Sequence, residues 1–180
     1  MKKSLYVSLM VLVTAMNSCI TFYFEKPLPI DAKQCKSMPR ALRGKWTGSE
    51  GTLCIDKTKW VSQSTDSLGV TTTKVEFELS DSLIMKKYKQ YYFFNTLNTN
   101  SFWNVYVGYK SDSLFIIKRL AKEDSLSLKT NLNILPDSAS QSNLFYRTPI
   151  TKKQLVKYIE HGGFTDTLFL FDIKNRTILK

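Results

Sequence analysis

Short runs of alternating apolar and polar residues, separated by polar turns, constrain most strongly what this chain can fold into. The clearest run spans 70–79, where Val75, Phe77 and Leu79 are separated by charged residues. A period of two places successive side chains on opposite faces of a strand, so this strand has one apolar and one polar face. Because short turns join neighbouring strands, those strands run antiparallel. We therefore expect a mainly β fold, an antiparallel meander that forms a barrel or a curved sheet.

The same reasoning predicts strands in nine further segments. They are 44–47, 52–55, 59–63, 83–88, 91–97, 102–109, 114–120, 144–147 and 167–173. An Asp-Ser-Leu triplet recurs at 66–68, 81–83, 112–114 and 124–126. Asp and Ser side chains bond to nearby backbone groups in tight turns, so three or four of these triplets are interpreted as hairpin corners. The polar stretch 127–143 is expected to be the longest loop.

One C-terminal helix is predicted at 151–160, followed by a last strand. Thr151 and Gln154 have the spacing of a capping box. Gly162 and Gly163 end the helix, because glycine tolerates the left-handed backbone that is common there. His161, the single histidine of the chain, stands at this helix end and is interpreted as a cap of the last carbonyl groups.

The first nineteen residues have the layout of an export signal. Lys2 and Lys3 precede the apolar run 5–15, and small residues then lead to Cys19. The apolar run is too short for a spanning helix, which needs about 20 residues. An ordinary cleaved secretory signal is the alternative to lipidation at Cys19. We expect a signal peptide at 1–18, a tether at 19–40 that leads into the domain, and one β-rich domain at 41–180.

Composition allows a packed core and one kind of charged partner. Hydrophobic residues make up 43% of the chain, which argues against general disorder. The formal net charge is +11, of which Lys2 and Lys3 supply two, leaving +9 after the leader. This charge suits an acidic envelope partner, or it reflects lysines on solvent-facing strand positions. Nucleic acid is not expected as a partner, since an exported protein does not meet it and no nucleic-acid motif is present.

The cysteines and the other chemically active residues indicate no catalytic or metal site. If Cys19 carries lipid, Cys35 and Cys54 are left either to form one disulfide or to remain two buried thiols. The single histidine has no neighbouring nucleophile motif, and the chain lacks the clustered ligands of a metal site. The sequence therefore predicts no catalytic residues, no metal, no cofactor and no enzymatic activity.

Aromatic residues are concentrated between 88 and 109, and 91–94 are aromatic on both faces of one strand. One face must be core, while the other presents its rings outward or into a cavity, unless cross-strand pairing explains both. The candidate ligand-binding residues are Tyr92, Phe94, Trp103 and Tyr106.

Two family resemblances follow from these motifs. The leader that ends at Cys19, the segment 24–29 and the segment from Pro39 to Trp46 resemble small lipoproteins of Bacteroidota. That resemblance implies a lipid on Cys19; no acidic run follows it, so attachment is expected at the outer membrane, facing the periplasm. Gly44-x-Trp46 at the start of the first strand of the domain, with a meander, a late helix and a closing strand, resembles the lipocalin-like (calycin) barrels.

These observations lead to two functional hypotheses. In the first, the chain is a membrane-anchored, non-enzymatic lipoprotein that binds a hydrophobic or amphipathic ligand. In the second, it is a protein-interaction lipoprotein of the cell envelope, similar to an immunity protein or an inhibitor, whose partner is acidic.

Overall fold

The computed structural model of this chain describes residues 20–48, 51–65, 67–112, 114–140, 142–172 and 176–177. These residues form mainly β structure. In chain order the strands are β1 (Thr21–Phe24), β2 (Gly44–Gly48), β3 (Gly51–Ile55), β4 (Lys59–Thr65), β5 (Thr71–Glu78), β6 (Leu83–Tyr88), β7 (Tyr91–Leu97), β8 (Trp103–Ser111), β9 (Leu114–Arg119), β10 (Ser138–Ala139), β11 (Asn143–Tyr146), β12 (Asp166–Asp172) and β13 (Arg176–Thr177). The helices are α1 (Asp124–Leu132) and α2 (Lys152–Glu160).

The strands belong to two sheets. The large sheet has the order β10-β11-β1-β8-β7-β6, with β9 also paired to β8 and β12 paired to β9. The small sheet has the order β13-β2-β3-β4-β5. Most pairs are antiparallel, and β1 runs parallel to β11. The predicted mainly β fold with a curved antiparallel meander is confirmed, and the large sheet curls into a half-barrel.

The large sheet is the middle of three layers. The small sheet covers one of its faces, and the two helices cover the other. Two clusters of buried side chains fill the spaces, which we name the inter-sheet core and the helix-side core. The inter-sheet core includes Trp46, Trp60, Phe77, Phe94 and Phe115. The helix-side core includes Phe22, Phe93, Tyr146, Leu155 and Phe164. Stacking both faces under other layers is a common way to bury a sheet.

The segment expected to be a tether is largely built into the domain. Strand β1 lies between β11 and β8, and Phe22 and Phe24 are buried in the helix-side core. The following turn is held by two side chains of the large sheet. Asn95 accepts from the Leu28 N–H at 2.7 Å and donates to its carbonyl oxygen at 2.9 Å. Lys86 Nζ donates to two carbonyl oxygens of the same turn, each at 2.8 Å.

The stretch 127–143 is not one loop, and the triplet 124–126 is not a hairpin corner. The prediction of one long loop was wrong, because helix α1 spans Asp124–Leu132. The prediction of three or four hairpin corners allowed for one exception, and the triplet 124–126 is that exception. Few of its side chains are buried: among them are Leu128 and Asp124, so no apolar stripe marks the helix in the sequence. Tertiary contacts stabilise α1, chiefly through the buried Asp124 carboxylate.

Five donors satisfy the Asp124 carboxylate, whose side chain is fully buried. Its Oδ2 accepts from the N–H of Ala121 at 2.8 Å, and from the N–H and hydroxyl of Thr165 at 3.0 and 2.9 Å. Its Oδ1 accepts from the hydroxyl of Tyr158 at 2.5 Å and from the N–H of Phe164 at 2.9 Å. These bonds join the start of α1 to α2 and to the segment that leads into β12. A buried charge of this kind requires such partners.

Helix α2 is confirmed as predicted. Thr151 accepts from the Gln154 N–H, and the Gln154 side chain accepts from the Thr151 N–H at 3.0 Å, which completes the capping box. His161 lies at the other end, with Nδ1 2.7 Å from the Lys157 carbonyl oxygen. Its predicted capping role is therefore also confirmed.

The network around Asp124 yields a first prediction from a matched pair of tyrosines. Tyr158→Phe removes a donor from the buried carboxylate, so we expect it to lower the free energy of unfolding by about 1.5–3 kcal/mol. Tyr146→Phe removes a buried hydroxyl that has no hydrogen-bond partner among the described residues. That variant should be as stable as the wild type or slightly more stable. Urea unfolding followed by circular dichroism measures both.

Tyr146 also predicts how the free energy of unfolding depends on pH. Burial, together with the nearby Asp124 carboxylate, raises the pKa of Tyr146 to about 12. The folded state therefore favours the neutral phenol, and its contribution to stability is present below the ordinary tyrosine pKa of about 10. That contribution is lost as the pH rises from about 10 through about 12. Tyr146→Phe should reduce this alkaline loss; an unchanged pH slope would contradict the prediction.

Candidate functional site

A cavity of about 260 Å³ opens where two strands separate along one edge of β8. Strand β7 occupies one side of β8 from Trp103 to Gly108. On the other side, β1 pairs at Trp103, and β9 pairs from Tyr106 to Ser111. Asn104 and Val105 lie between these two partners. We name the space between β1 and β9 the split cavity.

The deep wall of the split cavity is apolar. Phe22, Val105 and Leu120 are 4%, 4% and 6% exposed, and all three belong to the helix-side core. Ile20 and Ala121 complete this wall. The cavity therefore extends from the large sheet toward the helix-side core. This part of its wall would contact the apolar portion of a ligand.

The mouth of the split cavity is charged and electrically balanced. Arg119 and Lys122 provide two cations, and Glu123 and Asp166 provide two carboxylates. Arg119 Nε donates to Asp166 Oδ2 at 2.6 Å, where β9 pairs with β12. Both side chains of this pair are about one-third to one-half exposed, so the pair contributes at most about 1 kcal/mol to stability. A ligand group can therefore compete for either partner at small cost.

The Asp124 carboxylate holds the charged mouth in place. Its bond to the Ala121 N–H fixes the segment 120–123, and its two bonds to Thr165 fix the residue before Asp166. Gly163 brings this segment close to α2, since a Cβ there would lie 2.2 Å from the Tyr158 ring. The mouth is thus anchored by buried hydrogen bonds rather than by its own exposed ion pair.

One polar side chain of the cavity wall has no hydrogen-bond partner. Asn104 Oδ1 is buried and unbonded, and its Nδ2 makes no bond to the described residues either. Asn104 shares a face of β8 with Tyr106, which also lines the cavity. An amide in a cavity wall that bonds to no protein group can hydrogen-bond to a ligand.

The four aromatic residues expected to bind ligand do not form one site. Tyr92 and Phe94 are 7% and 0% exposed, in the inter-sheet core. Tyr106 contacts that core and also lines the split cavity, whereas Trp103 lies on the opposite face of β8, paired with Phe24. Of the two alternatives for 91–94, the open aromatic face is not observed, because the large sheet is covered on both sides.

Cross-strand pairing accounts for other aromatic residues of the chain. The Tyr23 and Phe145 rings stack with centroids 5.2 Å apart, and Phe102 meets Phe145 edge to face at 5.1 Å. Tyr23 and Phe145 are register partners on β1 and β11. Such pairs stabilise a sheet without a ligand.

Cys35 and Cys54 are unpaired thiols in the structure. Cys54 alternates with Leu53 and Ile55 on β3, so it faces away from the inter-sheet core, against which Cys35 packs. A disulfide needs side chains that point toward each other. Burial raises the pKa of the Cys35 thiol, and Lys87 opposes this effect. Cys35 and Cys54 thus do not form the disulfide that the sequence allowed.

Most of the residues that line the split cavity gave no signal in the sequence. The segment 20–22 was placed in the tether, and 120–123 has no recognisable motif. Arg119 and Asp166 are 47 positions apart, and only the pairing of β9 with β12 brings them together. Periodicity identifies strands, but it does not identify which non-consecutive strands become neighbours.

Three remaining findings concern the chain as a whole. Cys19 and the predicted signal peptide 1–18 lie outside the described residues. Across the parts of the chain that the structure describes, no helix is long and apolar enough to cross a membrane, and no three His, Cys, Asp or Glu residues form a group that could hold a metal. No protein-family model, no curated protein and no solved structure matches this chain.

Proposed function

We propose that this chain is a lipid-anchored, non-enzymatic binding protein of the cell envelope, and that the split cavity holds a small amphipathic ligand. The observation that carries the proposal is the composition of the cavity wall. Its deep part is lined by Phe22, Val105 and Leu120, whereas its mouth carries both signs of charge. An apolar interior with a few polar groups is typical of small-molecule sites.

The size of the cavity restricts the ligand. At about 260 Å³, the split cavity lies just below the range of about 300–1,000 Å³ that is typical of drug-sized ligands. It therefore suits a small amphiphile, or one end of a longer one.

The position of the cavity relative to the proposed anchor supports a ligand taken from the membrane. Ile20 lines the split cavity, and Cys19 precedes it by one peptide unit, a Cα separation of about 3.8 Å. A lipid on Cys19 would keep the mouth close to a bilayer surface, where amphiphiles are concentrated. We place this anchor at the outer membrane, facing the periplasm, as the leader implies.

A second candidate function is binding of an acidic envelope protein. The observation that favours it is the exposure of three apolar side chains on β5 and in the turn before it: Leu68, Val70 and Val75 are 86%, 58% and 53% exposed. Strand β5 ends the small sheet as the described residues form it, and exposed apolar strand edges mark interaction surfaces. The net charge of +9 after the leader would favour an acidic partner.

Salt and one substitution on β5 test this second function. We expect an envelope protein to be retained on the immobilised chain at low ionic strength and released at high ionic strength, because salt screens charge-driven contacts. Val75→Glu should reduce retention, and the matched Val75→Thr should preserve it. If neither high salt nor Val75→Glu reduces the amount of protein retained, the partner does not bind these residues by charge.

The ligand site itself is tested by filling the cavity. Ala121→Trp places a large ring in the wall of the split cavity, so we expect the loss of any lipid that co-purifies with the wild type. Native mass spectrometry of the protein purified from expressing cells measures the bound mass. The control is Ala139→Trp, the same change at an exposed position of β10. Equal occupancy in both variants would place the ligand elsewhere.

The anchor is tested at Cys19. Cys19→Ser removes the thiol that would take up lipid, so we expect labelling with a clickable fatty acid to be lost. Each buried CH₂ contributes about 0.8 kcal/mol, and more than one chain is needed for stable attachment. Wild-type protein that is unlabelled and released from membranes would show that Cys19 is only part of an ordinary signal. Protease treatment of intact cells should leave a periplasm-facing domain uncut.

A further inference from the structure

We propose that Asn104 selects the ligand of the split cavity by hydrogen bonding to an uncharged polar group, a hydroxyl or an amide, of an otherwise apolar molecule. This inference rests on the proposed function, because it assigns a ligand class to the same site. It concerns the face of β8 that Asn104 shares with Tyr106, rather than the apolar wall around Val105 on the opposite face.

The first argument is the unusual state of the Asn104 amide. Its buried Oδ1 has no hydrogen-bond partner, and the structure gives its Nδ2 none among the described residues. Asn95, one strand away on β7, bonds through both ends of its amide to Leu28 at 2.7 and 2.9 Å. The same sheet therefore satisfies the fully buried Asn95 amide and leaves the buried Oδ1 of the partly exposed Asn104 without a protein partner. Buried polar groups in folded proteins rarely remain unsatisfied.

The second argument is the place of Asn104 in the fold. It lies on the short stretch of β8 between the end of its pairing with β1 and the start of its pairing with β9. A partner strand would fill this position in a continuous sheet. Because no strand among the described residues pairs with this edge of β8 at Asn104, the split cavity adjoins the residue and a bound molecule can reach its side chain.

The third argument concerns the charge of the ligand group. Asn104 shares a face of β8 with Tyr106, and the register partner of Tyr106 is Arg119, so the strand pairing places Arg119 on the same face as Asn104. Arg119 is already paired with Asp166 at 2.6 Å. An ionised group beside Asn104 would lose hydration and would meet an opposite charge that is already paired. An amide supplies both a donor and an acceptor, which suits a neutral hydroxyl or amide.

The test compares two probes that share one acyl chain. Glycerol monolaurate carries free hydroxyls, and methyl laurate carries none. We expect wild-type protein purified from expressing cells to bind glycerol monolaurate about tenfold more tightly, a difference of 1.4 kcal/mol. Asn104→Leu should abolish this preference and keep the affinity for methyl laurate within about threefold. Asn131→Leu, at an exposed position of α1, is the matched control and should preserve the preference.

A second measurement compares melting temperatures after any co-purified lipid has been removed from both proteins. Because Asn104→Leu removes a buried amide that no protein group satisfies, we expect its melting temperature to rise by a few degrees. Asn104→Val serves the same purpose if the leucine variant does not fold. A fall of several degrees in the melting temperature of the folded variant would show that the amide has a structural role, which overturns the assignment.

The outcomes separate the two proposals. If the wild type binds both probes equally, or if Asn104→Leu keeps the preference, the assignment to Asn104 fails and water satisfies the amide, while the ligand function of the cavity stands. If the wild type binds neither probe and carries no co-purified amphiphile, the proposed function fails and the assignment fails with it.

Discussion

The buried carboxylate of Asp124 is the interaction on which the layout of this protein depends. It accepts five hydrogen bonds, which connect α1, α2 and the segment before β12 through one fully buried group. The same bonds fix Ala121 and Thr165, which flank the charged mouth of the split cavity. Loss of one donor from such a group leaves a buried charge partly unsatisfied, so the network favours a single arrangement of these segments. Stability and the geometry of the candidate site therefore have a common origin.

A second constraint is the central position of the large sheet. Because both of its faces are covered, the aromatic residues of β7 are divided between two cores, with Phe93 on one side and Phe94 on the other. The aromatic side chains that suggested a binding surface are therefore used for packing between the layers. Among the described residues, the split cavity lies at the edge of β8, at the position where this strand changes its partner from β1 to β9. The proposed function follows from this interruption rather than from an exposed aromatic face.

Prediction from sequence succeeded where the signal was local. The alternation of Val75 and Phe77 with charged neighbours, and the capping box of Thr151 and Gln154, each reflect contacts within a few residues. It failed for α1, since that helix buries little beyond Leu128 and Asp124 and has no apolar stripe. It did not identify β1 as a strand, because β1 has four residues and its partners lie about 80 and 120 positions further along the chain. Of the candidate binding residues, Tyr106 lines the cavity. The sequence could not distinguish it from the others, because the layers that cover each face of the sheet decide whether a ring is buried or open.

By itself the sequence determined the mainly β class, the order of the meander strands and the helix that precedes the last strand, because each depends on short-range periodicity, turns and caps. It also carried the leader and Cys19, which motivate the proposed anchor. Tertiary structure alone decided that the segment from Ile20 joins the large sheet, that Arg119 meets Asp166, and that Asn104 lies unpartnered beside a cavity. Those features arise from pairing between strands and helices distant in the chain. Such pairing is determined by the burial of whole faces, and no local pattern of residues encodes it.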